Sequence, residues 1–307
     1  MRTIRIENDL IKTATAIALG NFDGLHIAHM EVINAAIEFA KAHELTSMVY
    51  TFLEHPKNVT DKAGQVRYIT PIRQKEAILE KTGLDVLYLD SFTQELMKMS
   101  PEAFLTYLKE TFGAKFLSVG YNYTFGYMAG GDVAFLKEWC ADNGIELFVA
   151  KPVYLEGKLV SSSRIRKAIA TGHVGLAARM LGRPYFVSGR VEHGKKLGST
   201  LGFPTINTHV SECSVLPKFG VYVTHTFIDE VLHKSITNIG IKPTIGTNEL
   251  TIETYIIDFD GDLYGKNIRV DFLDFLRAEK KFASYDALKA QITSDVETAR
   301  AYKAAIE

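Results

Sequence analysis

Between residue 14 and about residue 150, apolar runs of strand length alternate with stretches whose apolar residues recur at helical spacing. Ala14–Leu19 is a continuous apolar and β-branched run that stops at Gly20, as a buried strand does. After a polar turn, His29–His43 sets Met30, Ile33, Ile37 and Ala40 on one helix face. The same alternation predicts strands over 47–52, 86–89, 116–119 and 146–149. It predicts helices over 71–81, 101–111 and 132–143, with Pro71 and Pro101 suited to first helical turns. Strands and helices in this order imply right-handed crossovers and a doubly wound parallel sheet. Ligands of such sheets bind beyond the carboxyl ends of the strands, where the Gly20 turn would lie.

The pattern changes near Tyr185. Short alternating runs follow at 186–190, 221–228, 235–239, 251–258 and 268–276, separated by turn signals at His193–Gly194, Asp229–Glu230 and Asp260–Gly261. They predict an antiparallel barrel or sandwich. A helix closes the chain, with Ser284 as its cap and Leu288, Ile292, Val296 and Ala299 at helical spacing. We therefore expect two domains, 1–183 and 184–307, with the joint near Leu181–Tyr185 and no repeat or low-complexity linker.

Composition narrows the function classes. The 307 residues are 47% hydrophobic and 23% charged, which excludes wholesale disorder. Lysine and arginine number 35 against 36 acidic residues, split evenly between the halves, so no basic body for nucleic acid is expected and any phosphate site is local. No apolar run has the roughly 18–20 residues of a membrane span, and Met1–Lys12 lacks a secretory signal pattern, so the expected place is the cytoplasm, with no membrane partner. Cys140 and Cys213 make neither a disulfide framework nor a cysteine-rich metal site. The charged stretches Arg73–Lys81 and Lys109–Lys115 are expected to be solvated helix faces. No motif specifies an oligomeric state.

Two segments of the first half carry chemistry. In Gly20-Asn-Phe-Asp-Gly-Leu-His-Ile-Ala-His29, the glycines permit a sharp turn. His26 and His29, three apart, are expected on one face at the start of the following helix, where free N–H groups and the dipole favour an anion. Two imidazoles there could donate to a phosphate; metal ligation and ordinary surface histidines are the alternatives. Ser161-Ser-Ser-Arg-Ile-Arg166 offers hydroxyls and guanidinium forks for phosphate oxygens, or else a cap and a solvated basic turn. In the second half, Gly198-Ser-Thr-Leu-Gly-Phe-Pro-Thr-Ile-Asn207 follows Gly189–Gly194. Pro204 fixes a turn that presents Thr205 and Asn207 on one face of an extended segment. Read alone, it also suits a hairpin with ordinary turn glycines. Glu253 sits among apolar and β-branched neighbours, a costly place for a carboxylate without a partner or a function.

Gly20–His29, Thr51–Pro56, Gly120–Gly126 and Ser161–Arg166, in this order, resemble the adenylyltransferase half of the bacterial bifunctional riboflavin kinase/FMN adenylyltransferases, or FAD synthetases. The segments from Gly198 to Asn207, Gly220–Tyr222, Asn238–Thr244, Glu253, Asp262–Gly265, Arg277 and Phe282 resemble the riboflavin kinase half. The resemblance implies an N-terminal doubly wound α/β nucleotidylyltransferase domain and a C-terminal antiparallel β-barrel with a terminal helix. It implies ATP, riboflavin and FMN as substrates, flavins as products, and Mg²⁺ with ATP. By resemblance His26 and His29, with Arg164, are catalytic in adenylyl transfer, and Ser162, Ser163, Arg164 and Arg166 hold pyrophosphate. Gly20, Asn21, Phe22, Asp23, Phe52, His55, Pro56, Asn122, Tyr123, Phe125 and Ser161 belong to its binding segments. In the kinase half Glu253 is the general base, Thr205 and Asn207 orient Mg²⁺–ATP, Gly198, Gly202, Phe203 and Pro204 belong to the nucleotide segment, and Arg277 closes over the flavin. The chain departs from the pattern at Ala28, Glu54 and Ser163, and Tyr127–Ala129 lacks the usual basic residues. Ala28 and the missing basic residues leave one rival, a kinase with a weak or redox-selective adenylyltransferase half; a second, of a different class, is a flavin- or nucleotide-binding regulator that has lost catalysis.

Overall fold

The computed structural model describes residues 1–5, 13–55, 58–59, 65–192, 202–210, 213–244 and 247–303. They pack as two compact units, Met1–Ser161 and Ser162–Glu307. The division falls ahead of the expected joint at 183/184 because α6 (Ser162–Ala170) and α7 (Val174–Leu181) pack on each other, and α7 packs on strands of the second unit.

The first unit is built on a six-stranded sheet of order β1-β4-β3-β2-β5-β6, every pair parallel. Its strands are β1 (Arg2–Arg5), β2 (Thr15–Leu19), β3 (Thr46–Phe52), β4 (Val86–Asp90), β5 (Ala114–Gly120) and β6 (Glu146–Ala150). Strand β1 was not anticipated, because charges interrupt its isoleucines. The helices are α1 (Ile27–Ala42), α2 (Ile72–Glu80), a short α3 (Gln94–Lys98), α4 (Pro101–Phe112) and α5 (Val133–Asn143). All five residues of β2 are buried, with alternate side chains feeding opposite cores: Ala16 and Ala18 pack with Val32, Ile33 and Ala36 of α1, while Ile17 and Leu19 pack with Phe104, Leu105 and Leu108 of α4. Ser100 caps α4 through the Ala103 amide and Pro101 fills its first turn. A small hairpin, β7 (Tyr154–Leu155) with β8 (Lys158–Leu159), ends the unit. The expectation of a solvated face over Arg73–Lys81 fails at Lys75, which is only 5% exposed. It occupies an apolar position of α2, one turn from Leu79.

The second unit is a closed antiparallel barrel, β10-β13-β12-β11-β14-β9, so barrel rather than sandwich. The strands are β9 (Tyr185–Glu192), β10 (Thr205–His209), β11 (Gly220–Ile228), β12 (Val231–Thr244), β13 (Thr247–Ile256) and β14 (Asn267–Arg277). Hydroxyls occupy part of its interior: Thr224 bonds Ser235 at 2.7 Å and Thr237 at 2.9 Å, Thr226 bonds Ser235 at 2.9 Å, and Thr237 bonds Thr254 at 2.9 Å. All five are fully buried and mutually satisfied, as interior polar groups must be. The opposite, outer face carries Val223, Ile236 and Leu273 against Val296 and Ala299 of the terminal helix α8 (Tyr285–Ala301), which Ser284 caps.

Candidate active sites

In the first unit the strand order reverses direction between β2 and β5. The crevice at their carboxyl ends is where doubly wound sheets take ligands. The turn from Gly20 to His26 leaves β2 there, and the loop after Gly120 leaves β5. The turn follows a constrained path: Phe22, Gly24 and Leu25 have φ of 47°, 97° and 43°. Left-handed backbone at two non-glycine residues persists only where packing over-determines it, and the Phe22 and Leu25 side chains are fully buried. Asp23 is also interior, its carboxylate accepting the Ile69 amide (3.0 and 3.2 Å) and the Thr70 amide (3.1 Å).

His26 is the cap of α1 rather than a residue on its face. Its Nδ1 accepts from the His29 amide at 3.2 Å, so neutral His26 carries its proton on Nε2 and donates only from there. His29 stands third in the helix, and the two imidazoles stack with centroids 3.5 Å apart and planes 17° apart. Phe22 meets His29 edge-on at 5.4 Å. The structure thus brings both histidines together at a helix N-terminus, an end whose peptide dipoles favour an anion. Among the described residues no cluster of three histidine, cysteine or acidic side chains suits a metal ion.

The flanking segments supply aromatic surface. Phe52 meets Phe92 at 5.1 Å, and the His55 amide donates to the Tyr68 hydroxyl at 2.8 Å. Pro56 lies outside the described residues. Asn122 is exposed; Tyr123 stacks on Phe125 at 5.5 Å, and Phe125 is part of the core beneath, with burial raising the Tyr123 phenol above its ordinary value. Ser161 ends the first compact unit, and Ser162, Ser163, Arg164 and Arg166 open α6 in the second.

The barrel carries the other group. Asn207 on β10 stands directly opposite Glu253 on β13, which stands opposite Asn238 on β12. Cross-strand partners share a face. Asn238 follows Ile236, and Glu253 precedes Tyr255, by two residues, so the row lies on the outer face, alongside the apolar contact with α8. Thr205 falls on the same face as Asn207. It also lines a cavity of about 550 Å³ with Pro204, Ile206, Thr254, Ile256 and the 259–264 turn, a volume suited to a small ligand. Gly202 has φ 86°, Phe203 packs edge-on against Tyr255 at 5.3 Å, and Gly198 lies outside the described residues. Arg277 is joined to Asp295 of α8 (2.8–3.2 Å) and lies 5.7 Å from the Phe282 ring. Sequence reasoning missed Asp295 and Glu279, which accepts from Asn238 Nδ2 at 3.2 Å, because partners on other elements leave no periodic signal.

A protein-family model described as FAD synthetase matches residues 9–164, and one described as riboflavin kinase matches 181–303. The bifunctional riboflavin kinase/FMN adenylyltransferase of Listeria monocytogenes is 34% identical over 94% of this chain and 93% of its own. Those of Bacillus subtilis (32%, covering 98% of both chains) and Escherichia coli K12 (33%, covering 93% and 92%) are similarly close. A solved structure from Streptococcus pneumoniae, named a macrolide-efflux protein, superposes with a TM-score of 0.90 at 31% identity, covering 98% of this chain and 99% of that one. Among the described residues of the present chain, no helix is long and apolar enough to cross a membrane. With an adenylyltransferase-type sheet, a kinase-type barrel and full-length relatives above 30% identity, this chain belongs to the bifunctional riboflavin kinase/FMN adenylyltransferase family.

Proposed function

We propose that the barrel phosphorylates riboflavin and that the α/β unit adenylylates the product, with ATP as the donor in both steps. The observation that carries the reading is the match of two non-overlapping family models to the sheet and to the barrel, each holding its own polar constellation. We place the working boundary of the two activities at 183/184, which keeps the Ser161–Arg166 segment with adenylyl transfer.

In the kinase step Glu253 takes the proton from the ribityl 5′-hydroxyl. The freed oxygen forms a bond to the γ-phosphorus of ATP, the bond from that phosphorus to the β,γ-bridging oxygen breaks, and ADP leaves with the electron pair. Facing Asn207 across the ladder, Glu253 is held to one side of the strand pair, so its carboxylate is oriented before substrate arrives. Thr205 and Asn207 present a hydroxyl and an amide oxygen on one face, hard donors that fit Mg²⁺ shared with nucleotide phosphates. Bound there, the cation would neutralise phosphate charge. Arg277, set by Asp295, lies over the flavin side.

In the adenylyl step a phosphate oxygen of FMN bonds to the α-phosphorus of ATP, the bond to the α,β-bridging oxygen breaks, and pyrophosphate leaves. His29 and the Nε2–H of His26 stabilise the charge that grows on the α-phosphate. Gly20, Asn21, Phe22 and Asp23 shape that turn; Phe52, His55 and Pro56 serve the flavin side, and Asn122, Tyr123 and Phe125 serve the nucleotide and flavin pocket. Ser162, Ser163, Arg164 and Arg166 hold pyrophosphate. We place both steps in the cytoplasm, as the resemblance to bacterial enzymes implies. Riboflavin supplied with ATP and Mg²⁺ should yield FMN and then FAD on chromatography, tested with oxidised and reduced flavin. Untouched riboflavin would overturn the reading; FMN that accumulates in both redox states would leave only the kinase.

A further inference from the structure

The adenylyl-transfer site, as read above, leaves one buried charge of the first unit without a role. Lys75 sits inside the unit, and its ammonium donates to the Asn21 carbonyl oxygen at 2.9 Å. The same oxygen accepts the Thr51 hydroxyl, from β3, at 3.1 Å. Two residues further along, Asp23 is held by the amides of Ile69 and Thr70, at the entrance to α2. The stretch 69–75 therefore grips the turn at two points, and β3 shares one of them.

The turn needs such a grip. Its left-handed residues Phe22 and Leu25 give it no intrinsic reason to hold this path, and the His26 cap begins immediately after them. Because the peptide unit is planar and trans, fixing the Asn21 carbonyl toward Lys75 and Thr51 directs the Phe22 N–H the opposite way. An ammonium in that interior place is expensive to bury, and burial pushes Lys75 down to about 8, with the Asp23 carboxylate opposing the shift. A methionine or leucine would fill the same slot of α2 without that cost. The charge nonetheless stands beside the turn that the family reading assigns to a polyanion.

We propose that Lys75, together with Thr51, positions the adenylyl-transfer turn by fixing the Asn21 carbonyl, so that the backbone N–H groups and the stacked histidines are set before ATP arrives. The inference rests on the proposed role of the Gly20–His29 turn. Neither residue touches substrate in this account; both act through the turn.

The test uses the full chain, with Lys75→Met and Thr51→Val. FAD formation from FMN and Mg²⁺–ATP is compared with FMN formation from riboflavin in the same preparations, alongside the thermal midpoint. For Lys75→Met, kcat for FAD formation should fall at least tenfold, with the KM for FMN within twofold, the kinase rate unchanged and the midpoint no lower than wild type. Thr51→Val should follow the same pattern with a loss of at least threefold. A lowered midpoint with kcat per folded enzyme unchanged would make Lys75 merely structural and overturn the proposal. Should Lys75→Met not fold, Thr51→Val decides, and full kcat there overturns it. His29→Ala run in parallel separates the two levels. If it keeps FAD formation, the reading of the turn itself fails; if it is silent while Lys75→Met runs at full rate, only the positioning proposal fails.

Discussion

At the scale of single residues the proposal gives the two reactions to different side chains: Glu253 and His29 lie in different compact units and are assigned different bond changes. Glu253→Gln keeps the size and a hydrogen-bonding amide opposite Asn207 but removes the proposed base. It should cut FMN formation by roughly 10²- to 10⁴-fold, the range expected for a general base, and leave FAD formation from supplied FMN intact. His29→Ala removes the donor proposed to face the developing charge. It should cut FAD formation by roughly 10²- to 10³-fold and spare the kinase. Both rates, measured on each variant with circular dichroism to check folding, decide the matter: one folded variant silencing both reactions would refute the division. Both candidates stood out in the sequence, the histidines by their spacing after a glycine turn and the glutamate by its apolar surroundings. Their local geometry was not. That His26 caps α1 and accepts the His29 amide depends on φ and ψ at one residue, which spacing does not encode.

Elements explain where the reading of the pattern succeeded and where it failed. The parallel sheet was legible because β2 to β6 are separated by helices of crossover length, and the terminal helix because its cap and periodicity agree. Strand β12 shows the limit. Ser235 and Thr237 alternate with Ile236, a pattern that ordinarily puts hydroxyls toward water, yet the hydroxyls lie inside the barrel and Ile236 lies under α8. An added helix on the outer face inverts the usual assignment, and period two does not reveal it. Helix α2 fails in the same way, since its charged sequence reads as solvated while packing buries Lys75. That burial has a thermodynamic consequence whose sign is definite. The folded-state pKa of Lys75, about 8, lies below its unfolded value of 10.5, so the protonated form is disfavoured by folding. Below pH 8 the full penalty applies, about 3 kcal/mol from the 1.36 kcal/mol per unit relation, and it fades as pH rises from 8 to 10.5. The stability difference between wild type and Lys75→Met, followed by denaturant unfolding, should therefore move in favour of wild type across that window. A difference that stays flat with pH would mean the ammonium is solvated.

For the whole molecule the question is whether one chain with two sites must hand its intermediate across internally. Each activity is assigned to its own constellation: the stacked histidines at the switch point of the sheet, and the Asn207–Glu253 row on the outer face of the barrel. FMN is the product of one and the substrate of the other. It leaves the kinase site as a dianion whose new phosphate is the nucleophile of the next step, and nothing in the chemistry of either bond change requires the two sites to share a chain. Complementation follows. Glu253→Gln alone should leave riboflavin unconverted, and His29→Ala alone should stop at FMN. An equimolar mixture should make FAD from riboflavin after a lag, because FMN released by one chain is captured by another. The lag should shorten in proportion as both proteins are concentrated together, and added FMN should abolish it. If the mixture makes no FAD while each variant keeps its remaining activity, FMN does not pass through solution, and the two sites work as a coupled pair rather than as independent enzymes on one polypeptide.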